Sequence, residues 1–300
     1  MSQLVEVGKL ETPNTPCYQA GQLFIHKLFA YRGVIVLPCI GQVFDLDVNG
    51  NSGDTHFNME RLGGKDVKCY TKNYYEALID MRDRPFCRIV NEMAIPKHAA
   101  SKNDKRLMSC PGLDHLSHDD IIPYKATEQV PFRHEMLGEF FDYTPANEIC
   151  FEPKDVLKSS LGVNAAFNMK IDVYKRTNDN VKITVIPTYL GYRNTESTTT
   201  YSWNYSVQLE NMSDSSIRIL KQNWKVTSLH ETTDEVFCRG VMGEEVTIDS
   251  RAPVFKFISN VNLPTPFGHM IGNFKIEKQD LTKCLCPSPL FLLKSCLEVL

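Results

Sequence analysis

Residues 201–209 read Tyr-Ser-Trp-Asn-Tyr-Ser-Val-Gln-Leu, and this stretch decides the fold of the second half of the chain. Large apolar side chains occupy every second position with polar ones between them, the pattern of a strand with one buried face. Short strands of this kind separated by turn residues are typical of an antiparallel β-sandwich, with Trp203, Tyr205 and Trp224 in its core. The further predicted strands are 181–185, 217–220, 224–229, 236–241, 254–259 and 269–277.

The first half of the chain predicts a small β-barrel with long loops. Within residues 21–37, Leu23 and Ile25 mark one strand and Val34 and Val36 another, with a turn at 30–33 between them. Pro38 is predicted to end the second strand, because proline cannot donate to a ladder. We predict a long loop at 41–70, a strand at 74–80, a basic excursion at 82–106 and a closing turn or short strand at 113–124.

A connector with helical character is predicted between the two halves. Phe132, Met136, Leu137, Phe140 and Phe141 recur at spacings of three and four, as on one face of a helix. Pro153 and Gly162 bracket a second short helix at 154–161. The predicted organisation is therefore an extended segment at 1–18, the barrel at 19–130, the connector at 131–176, the sandwich at 177–280 and a tail at 281–300.

Length and charge narrow the functional classes. A chain of 300 residues suggests two domains, and its 33 Lys and Arg against 36 Asp and Glu give a net charge of −3. The first 150 residues hold 16 basic and 20 acidic side chains, so neither half carries the basic excess of a dedicated DNA binder. No run of residues approaches the roughly 20 apolar positions of a membrane span.

The ten cysteines favour free thiols in a reducing compartment. None forms a C-x-x-C pair, and Cys284-Leu285-Cys286 alone is too short a motif to predict zinc. His115 and His118 lie three residues apart beside Asp114, Asp119 and Asp120. This cluster is interpreted as a capped helical turn in preference to a metal site, since no further ligand is identifiable. We predict no cofactor and no metal ligand.

A glycine-rich turn at 238–243 has two interpretations. Backbone N–H groups can approach a phosphate where no Cβ intervenes, but a dinucleotide site also needs a helix to follow. None follows here, so a turn or β-bulge is favoured over phosphate binding. We find no nucleophile elbow, Walker loop or HExxH motif, and therefore predict that the chain is not an enzyme.

Two candidate contact sites remain. Tyr31, Arg32 and Gly33 combine an aromatic and an arginine at a hairpin tip, both enriched in binding hot spots. The alternative is that Tyr31 packs on the barrel and Gly33 supplies backbone freedom. The basic excursion adds three candidate contacts with a partner or with DNA, namely Arg82, Arg84 and Arg88.

Several stretches resemble the polymerase delta-interacting protein 2 family. GQLFIHKLFAYRGVIVLP at 21–38, NYYEALIDMRD at 73–83 and PGLDHLSHDDIIPY at 111–124 resemble its YccV-type domain, related to hemimethylated-DNA-binding proteins. ITVIPTYLGYR at 183–193, YSWNYSVQLEN at 201–211, RGVMGEEV at 239–246 and FGHMIGNFKIE at 267–277 resemble its ApaG domain. The resemblance implies an SH3-like barrel followed by a fibronectin III- or immunoglobulin-like sandwich. The candidate turn site of the ApaG part comprises Arg239, Gly240, Gly243, Gly268, His269 and Met270.

The resemblance also implies a non-catalytic adaptor in DNA replication or repair, or in mitochondrial quality control. Its implied protein partners are the small subunit of DNA polymerase delta, the sliding clamp and primase-polymerase, and its implied compartments are the mitochondrion and the nucleus. Direct DNA binding through the first domain is the alternative function. The oligomeric state is not predicted.

The chain departs from the family pattern at two places. A mitochondrial presequence is expected before the segment at which this chain opens. After Glu277, the residues QDLTKCLCPSPLFLLKSCLEVL stand where a Phe-x-Val-x-Ile-Pro-x-Phe strand is expected. We expect residues 286–293 to supply that strand. If they do not, an open sheet edge would favour association.

Overall fold

The computed structural model describes residues 6–12, 15–47, 58–90, 93–96, 107–145, 149–155, 157–158, 170–229 and 233–295. The chain is mainly β, as the sequence predicts, and it divides into two compact units. No helix in those ranges is long and apolar enough to cross a membrane. The first unit comprises Met1–Gly41, Thr71–Cys87 and Cys110–Lys170, and the second comprises Gln42–Tyr70, Arg88–Ser109 and Ile171–Leu300.

Strands also dominate the part of the chain where a barrel and a connector are predicted. Helix α1 (Leu137–Phe140) lies in this region, and residues 155 and 157–158 are also helical. Two 3-10 turns span Arg84–Phe86 and His118–Asp120. The strands are β1 (Gly8–Leu10), β2 (Leu23–His26), β3 (Arg32–Asp45), β4 (Asn58–Leu62), β5 (Lys65–Ile79), β6 (Ile89–Val90), β7 (Met93–Pro96), β8 (Leu107–Cys110), β9 (Leu113–Ser117), β10 (Ile121–Ala126), β11 (Phe141–Tyr143) and β12 (Phe151–Pro153).

The sheet of the first unit is open. Its strands pair in the order β1-β10-β2-β3, with β5 joining β3 to β9. Among the described strands none pairs β9 with β1, so this sheet does not close on itself, and the predicted mainly β fold class is confirmed. The 3-10 turn at His118–Asp120 connects β9 to β10, and Ser117 caps it by accepting the backbone N–H of Asp119.

Two predictions in this region are corrected. Strand β3 does not end at Pro38 but continues through it. Only Arg32–Val34 of β3 pair with β2, so the missing N–H of Pro38 removes no hydrogen bond between these two strands. The predicted loop at 41–70 contains the hairpin β4–β5, whose turn is Gly63-Gly64 with positive φ at both residues. Residues 48–57 and 97–106 lie outside the described ranges, as do residues 156 and 159–161 of the predicted second helix.

The predicted connector helix shortens to α1. Phe132 and Phe141 are buried as expected, but Phe141 already begins strand β11. His134 explains the late start, because its Nδ1 accepts the backbone N–H of Met136 at 3.0 Å and its Nε2 lies 2.6 Å from the carbonyl oxygen of Pro111. Such side-chain bonds to the backbone compete with a helical turn.

The second unit contains the two sheets of the predicted sandwich. One sheet has the order β13-β14-β15-β19-β6, and the other has β17-β16-β20-β21, with β18 on β16 and β22 on β20. The predicted strands at 217–220 and 224–229 are one strand, β16, interrupted by a bulge between Ile219 and Lys221. These strands are β13 (Lys170–Asn178), β14 (Val181–Asn194), β15 (Thr199–Asn211), β16 (Ile217–Ser228), β17 (Thr233–Arg239), β18 (Val246–Ile248), β19 (Val254–Leu263), β20 (Phe267–Lys278), β21 (Lys283–Pro287) and β22 (Phe291–Lys294).

An aromatic cluster forms the centre of the sandwich. Trp203, Tyr205 and Trp224 are buried, which confirms the predicted core. Phe291 of β22 lies between the sheets, with ring centroids 5.7 Å from Tyr205 and 6.0 Å from Trp224. The indole N–H of Trp203 donates to the carbonyl oxygen of Lys294 at 3.0 Å. The tail after Glu277 therefore supplies two strands to β20 and one core aromatic.

Candidate partner-binding surface

The predicted hairpin-tip site lies mostly inside the first unit. Tyr31 is only 1% exposed, and its hydroxyl donates to Asp114 Oδ2 at 2.7 Å. Burial and the neighbouring Asp114 carboxylate raise the pKa of Tyr31 well above its usual value. Gly33 has no positive φ; a Cβ there would lie 2.3 Å from Cζ of Phe24. This glycine makes room for an aromatic ring, which differs from the backbone freedom proposed for it above.

Arg32 and Arg82 belong to one ion network. The guanidinium of Arg32 donates to both oxygens of Asp83 at 2.7 and 2.8 Å, and that of Arg82 donates to both oxygens of Asp80 at 2.6 and 2.9 Å. Glu128 bridges them, accepting from Arg32 at 3.3 Å and from Arg82 at 2.6 Å. Bidentate pairs of this kind hold the planes of the guanidinium groups in place. Most of the guanidinium N–H groups of Arg32 and Arg82 therefore already bind carboxylates of the protein itself.

The other two arginines are also paired. Arg84 forms an ion pair with Glu135 in the first unit. Arg88, in the second unit, donates to the carbonyl oxygens of Thr247 at 2.5 Å and Ala252 at 3.3 Å, and it stacks over Phe255 at 5.6 Å. The contact roles given to these arginines remain predictions, and the structure places each of them in an internal interaction.

His115 and His118 do not act as a pair. His115 Nε2 lies 3.1 Å from Glu76 Oε1 in the ladder between β5 and β9. His118 Nδ1 lies 3.0 Å from the Tyr75 hydroxyl, and the His118 ring stacks on Tyr18 at 4.7 Å. The burial that comes with this packing lowers the pKa of His118.

The glycine-rich turn uses its own N–H groups. Gly240 donates to Leu220 at 2.7 Å, Val241 to Glu244 at 2.7 Å and Gly243 to Arg239 at 3.1 Å, all through backbone atoms. Gly240 has φ +54, and a Cβ there would lie 1.8 Å from the carbonyl oxygen of Glu244. The geometry therefore favours a tight turn, because a phosphate would need these N–H groups to be available.

The remaining residues of the candidate turn site lie elsewhere on the sheet. Arg239 pairs with Lys221 in the β16–β17 ladder, whereas Gly268 pairs with Ser228 at the far end of β16. Seven residues of strand separate the two positions, which is about 23 Å. His269 is half-buried and Met270 is buried. The structure does not bring the two halves of this predicted site together.

A surface that the sequence did not predict lies along β17. This strand pairs only with β16 among the described strands, so it is an edge of its sheet. Phe237 and Val236 are 70% and 53% exposed on its two faces. Exposed apolar side chains on an unpaired edge form a template for another strand.

Unpaired lysines flank this edge. Phe237 lies opposite Asn223 on the face of the sheet that carries Lys221 and Lys225 of β16 and Lys275 of β20. All three lysines are exposed, and no ion pair is recorded for them within the described ranges. We call Val236, Phe237 and these three lysines the β17 edge. The sequence predicted a strand at 236–241, but it did not predict that this strand is an edge, because that depends on the order of strands in the sheet.

Comparison with known proteins finds relatives that match most of this chain. It is 35% identical over 279 residues to polymerase delta-interacting protein 2 of Homo sapiens, which covers 92% of this chain and 76% of the human protein. The Mus musculus protein matches to the same extent. The chain belongs to the polymerase delta-interacting protein 2 family. Membership of this family fits an adaptor-like role.

The second unit carries the domain that a family model matches. The ApaG domain model matches residues 192–278. Protein ApaG of Rhodopseudomonas palustris is 29% identical over 123 residues, 41% of this chain and 94% of that protein. A solved structure of a putative ApaA protein from Bordetella pertussis is 24% identical, covering 39% of this chain and 95% of its own, with a TM-score of 0.35. That TM-score is too low to support a conclusion about the fold.

Proposed function

We propose that this chain is a non-catalytic adaptor that binds protein partners through the β17 edge. The observation that carries the proposal is the exposure of Phe237 and Val236 on an edge strand. A partner segment in extended conformation can add to such an edge, gaining main-chain hydrogen bonds along β17 and burying the two apolar side chains. A fully buried phenylalanine contributes roughly 1.5–3 kcal/mol.

The charges of the β17 edge favour an acidic partner segment. Lys221, Lys225 and Lys275 lie on the face that Phe237 shares, and Glu235 is the one acidic side chain of β17 on that face. Complementary charge raises the association rate and selects among partners. We therefore propose an extended segment that combines an apolar anchor with Asp or Glu.

The proposed partners are those that the family resemblance implies: the small subunit of DNA polymerase delta, the sliding clamp and primase-polymerase. The proposed compartments are the mitochondrion and the nucleus, on the same basis. Direct DNA binding through the first unit is not favoured, because Arg32, Arg82 and Arg84 already hold carboxylates.

The test is binding of the purified full chain to each proposed partner by biolayer interferometry. Phe237→Asp is expected to weaken the complex about tenfold or more, since it removes an apolar anchor and places an acid against an acidic segment. Met212→Asp is the matched control, because Met212 is 59% exposed and directly follows β15, a strand of the facing sheet.

Equal affinities for the wild type and Phe237→Asp would reject the β17 edge as the contact. Absence of binding to all three partners would reject these partners without bearing on the edge. A fluorescence anisotropy titration with duplex DNA over a salt series tests the alternative, since phosphate-driven binding weakens steeply with salt.

A further inference from the structure

Two cysteines and one aspartate converge at one end of the sandwich. Cys284 and Cys286 of β21 and Asp179 of the β13–β14 turn each offer one ligand atom, and these atoms all lie within 4.8 Å of one another. Neither thiol forms a disulfide in the structure. The Cys-x-Cys spacing alone does not predict this group, because Asp179 comes from a turn more than a hundred residues earlier.

Strand geometry brings the two thiols together. Alternate residues of a strand point to the same side, and Cys284 and Cys286 pair with Ile276 and Phe274 of β20, both fully buried. Leu285 between them points to the opposite face. Both sulfur atoms therefore face the interior of the sandwich, where the turn before β14 lies.

The position of Asp179 is defined by its hairpin. Asp179 and Asn180 form a two-residue turn with φ +49 and +63, and Asn178 pairs with Val181 across it. The side-chain amide of Asn178 donates to the carbonyl oxygen of Pro287 at 3.0 Å. A hydrogen bond thus ties this turn to the strand that carries the thiols.

We propose that Cys284, Cys286 and Asp179 bind a zinc ion that links β21 to the β13–β14 turn of the facing sheet. Thiolates select zinc among the common divalent cations, and an aspartate is an accepted third ligand. With Zn–S bonds of about 2.3 Å, the two sulfur atoms of a tetrahedral site lie about 3.8 Å apart. This separation is compatible with ligand atoms that lie within 4.8 Å of one another. Cys286 is buried, Cys284 half-buried and Asp179 exposed, so a cation can enter from solvent and keep a water as fourth ligand.

A disulfide between the two cysteines is less compatible with the strand. Residues i and i+2 of an extended strand lie about 6.6 Å apart at Cα, near the upper end of the disulfide range. Lys278 competes for Asp179, with its Nζ 4.0 Å from Asp179 Oδ1. A divalent ion bound by two thiolates would displace this loose, half-exposed contact.

The experiment uses the reduced full chain, stripped of metal with a chelator, and Zn²⁺ or Co²⁺ as the probe. We expect one equivalent of Zn²⁺ by isothermal titration calorimetry and a rise in melting temperature of about 5 °C in excess zinc. Co²⁺ is expected to give the visible spectrum of a tetrahedral site with a sulfur charge-transfer band.

Three variants and one control decide the outcome. Cys284→Ser and Cys286→Ser should abolish the charge-transfer band, and Asp179→Asn should weaken binding at least tenfold. Asp179 is exposed and Cys284 half-buried, so these two variants are expected to fold even if Cys286→Ser does not. Cys238→Ser, which alters a thiol of β17 outside the group, should bind as the wild type does.

Zinc binding of equal affinity in the wild type, Cys284→Ser and Asp179→Asn would overturn the proposal, as would absence of binding by the folded chain. Detection of a Cys284–Cys286 disulfide by peptide mass mapping, with no zinc taken up after reduction, would also overturn it.

Discussion

Asp80 is the residue on which the ion network of the first unit depends. Its side chain is fully buried. It accepts two hydrogen bonds from the guanidinium group of Arg82 and one from the backbone N–H of Arg133 at 3.2 Å. Removing one partner of a buried pair costs more than the pair contributes, because the other charge is left without compensation.

We expect Asp80→Asn to lower the free energy of unfolding by roughly 3 kcal/mol. Urea denaturation followed by far-ultraviolet circular dichroism measures it, since both tryptophans of the chain lie in the second unit. Asp66→Asn is the control: Asp66 is exposed and pairs with Arg61 at 3.5 Å, so its loss should stay below about 0.5 kcal/mol. Equal losses in the two variants would contradict the role given to Asp80.

The same residue makes stability depend on pH. Burial acts to raise the pKa of Asp80, but the hydrogen bonds and charge of Arg82 outweigh it and leave the pKa below its usual value. Because the pKa of Asp80 is lower in the folded protein, its ionised carboxylate stabilises the fold at pH values above the unfolded-state pKa of about 3.9. This stabilisation is lost as the pH falls through the folded-state pKa. The stability difference between wild type and Asp80→Asn should therefore be constant near neutral pH and shrink below about pH 4. A difference that grows on acidification would refute this.

At the scale of elements, alternation of apolar and polar residues predicted most strands. The features that were not predicted depend on turn residues or on which strands pair with each other. The alternation at 201–209 identified β15 correctly. The bulge within β16 was missed because Leu220 looks like any other strand residue until its partner β20 is known. The β17 edge was missed for the same reason, since a strand is an edge only by virtue of its neighbours. The Gly63-Gly64 hairpin could have been predicted, because that dipeptide favours the turn.

The hairpin β2–β3 contains a turn residue that is not optimal. Ala30 adopts φ +57, a left-handed conformation that costs a residue with a Cβ about 1 kcal/mol relative to glycine. Ala30→Gly is therefore expected to raise the free energy of unfolding by about 0.5–1 kcal/mol in the same urea assay. Gly33→Ala, three residues further on, should lower it, because the new Cβ meets the Phe24 ring. A loss of stability in both variants would show that the turn is not strained.

At the scale of the whole molecule, the second unit depends on its last strands. Phe291 contacts Tyr205 and Trp224, and Leu293 beside it is also buried. The sequence predicted a strand here but could not show that it fills the core, because Pro287, Pro289 and the short apolar run fit a loose tail equally well.

Phe291→Ala is expected to destabilise the second unit by about 3–4 kcal/mol through the cavity it leaves. Tryptophan fluorescence follows this unit, since Trp224 lies against the altered side chain. Leu285→Ala on the exposed face of β21 is the control and should change stability by less than about 0.5 kcal/mol. An unchanged fluorescence midpoint for Phe291→Ala would mean that β22 is not part of the core.

The position of Phe291 also bears on how the chain is made. During synthesis, β13 to β20 leave the ribosome before the residues of β22, so the aromatic cluster of Tyr205 and Trp224 emerges without its central ring. An incomplete core leaves apolar surface open to chaperones and to other nascent chains. The sandwich can therefore close only after β22 has emerged, and a ribosome that stalls after Glu277 would hold a protein whose interior is still exposed.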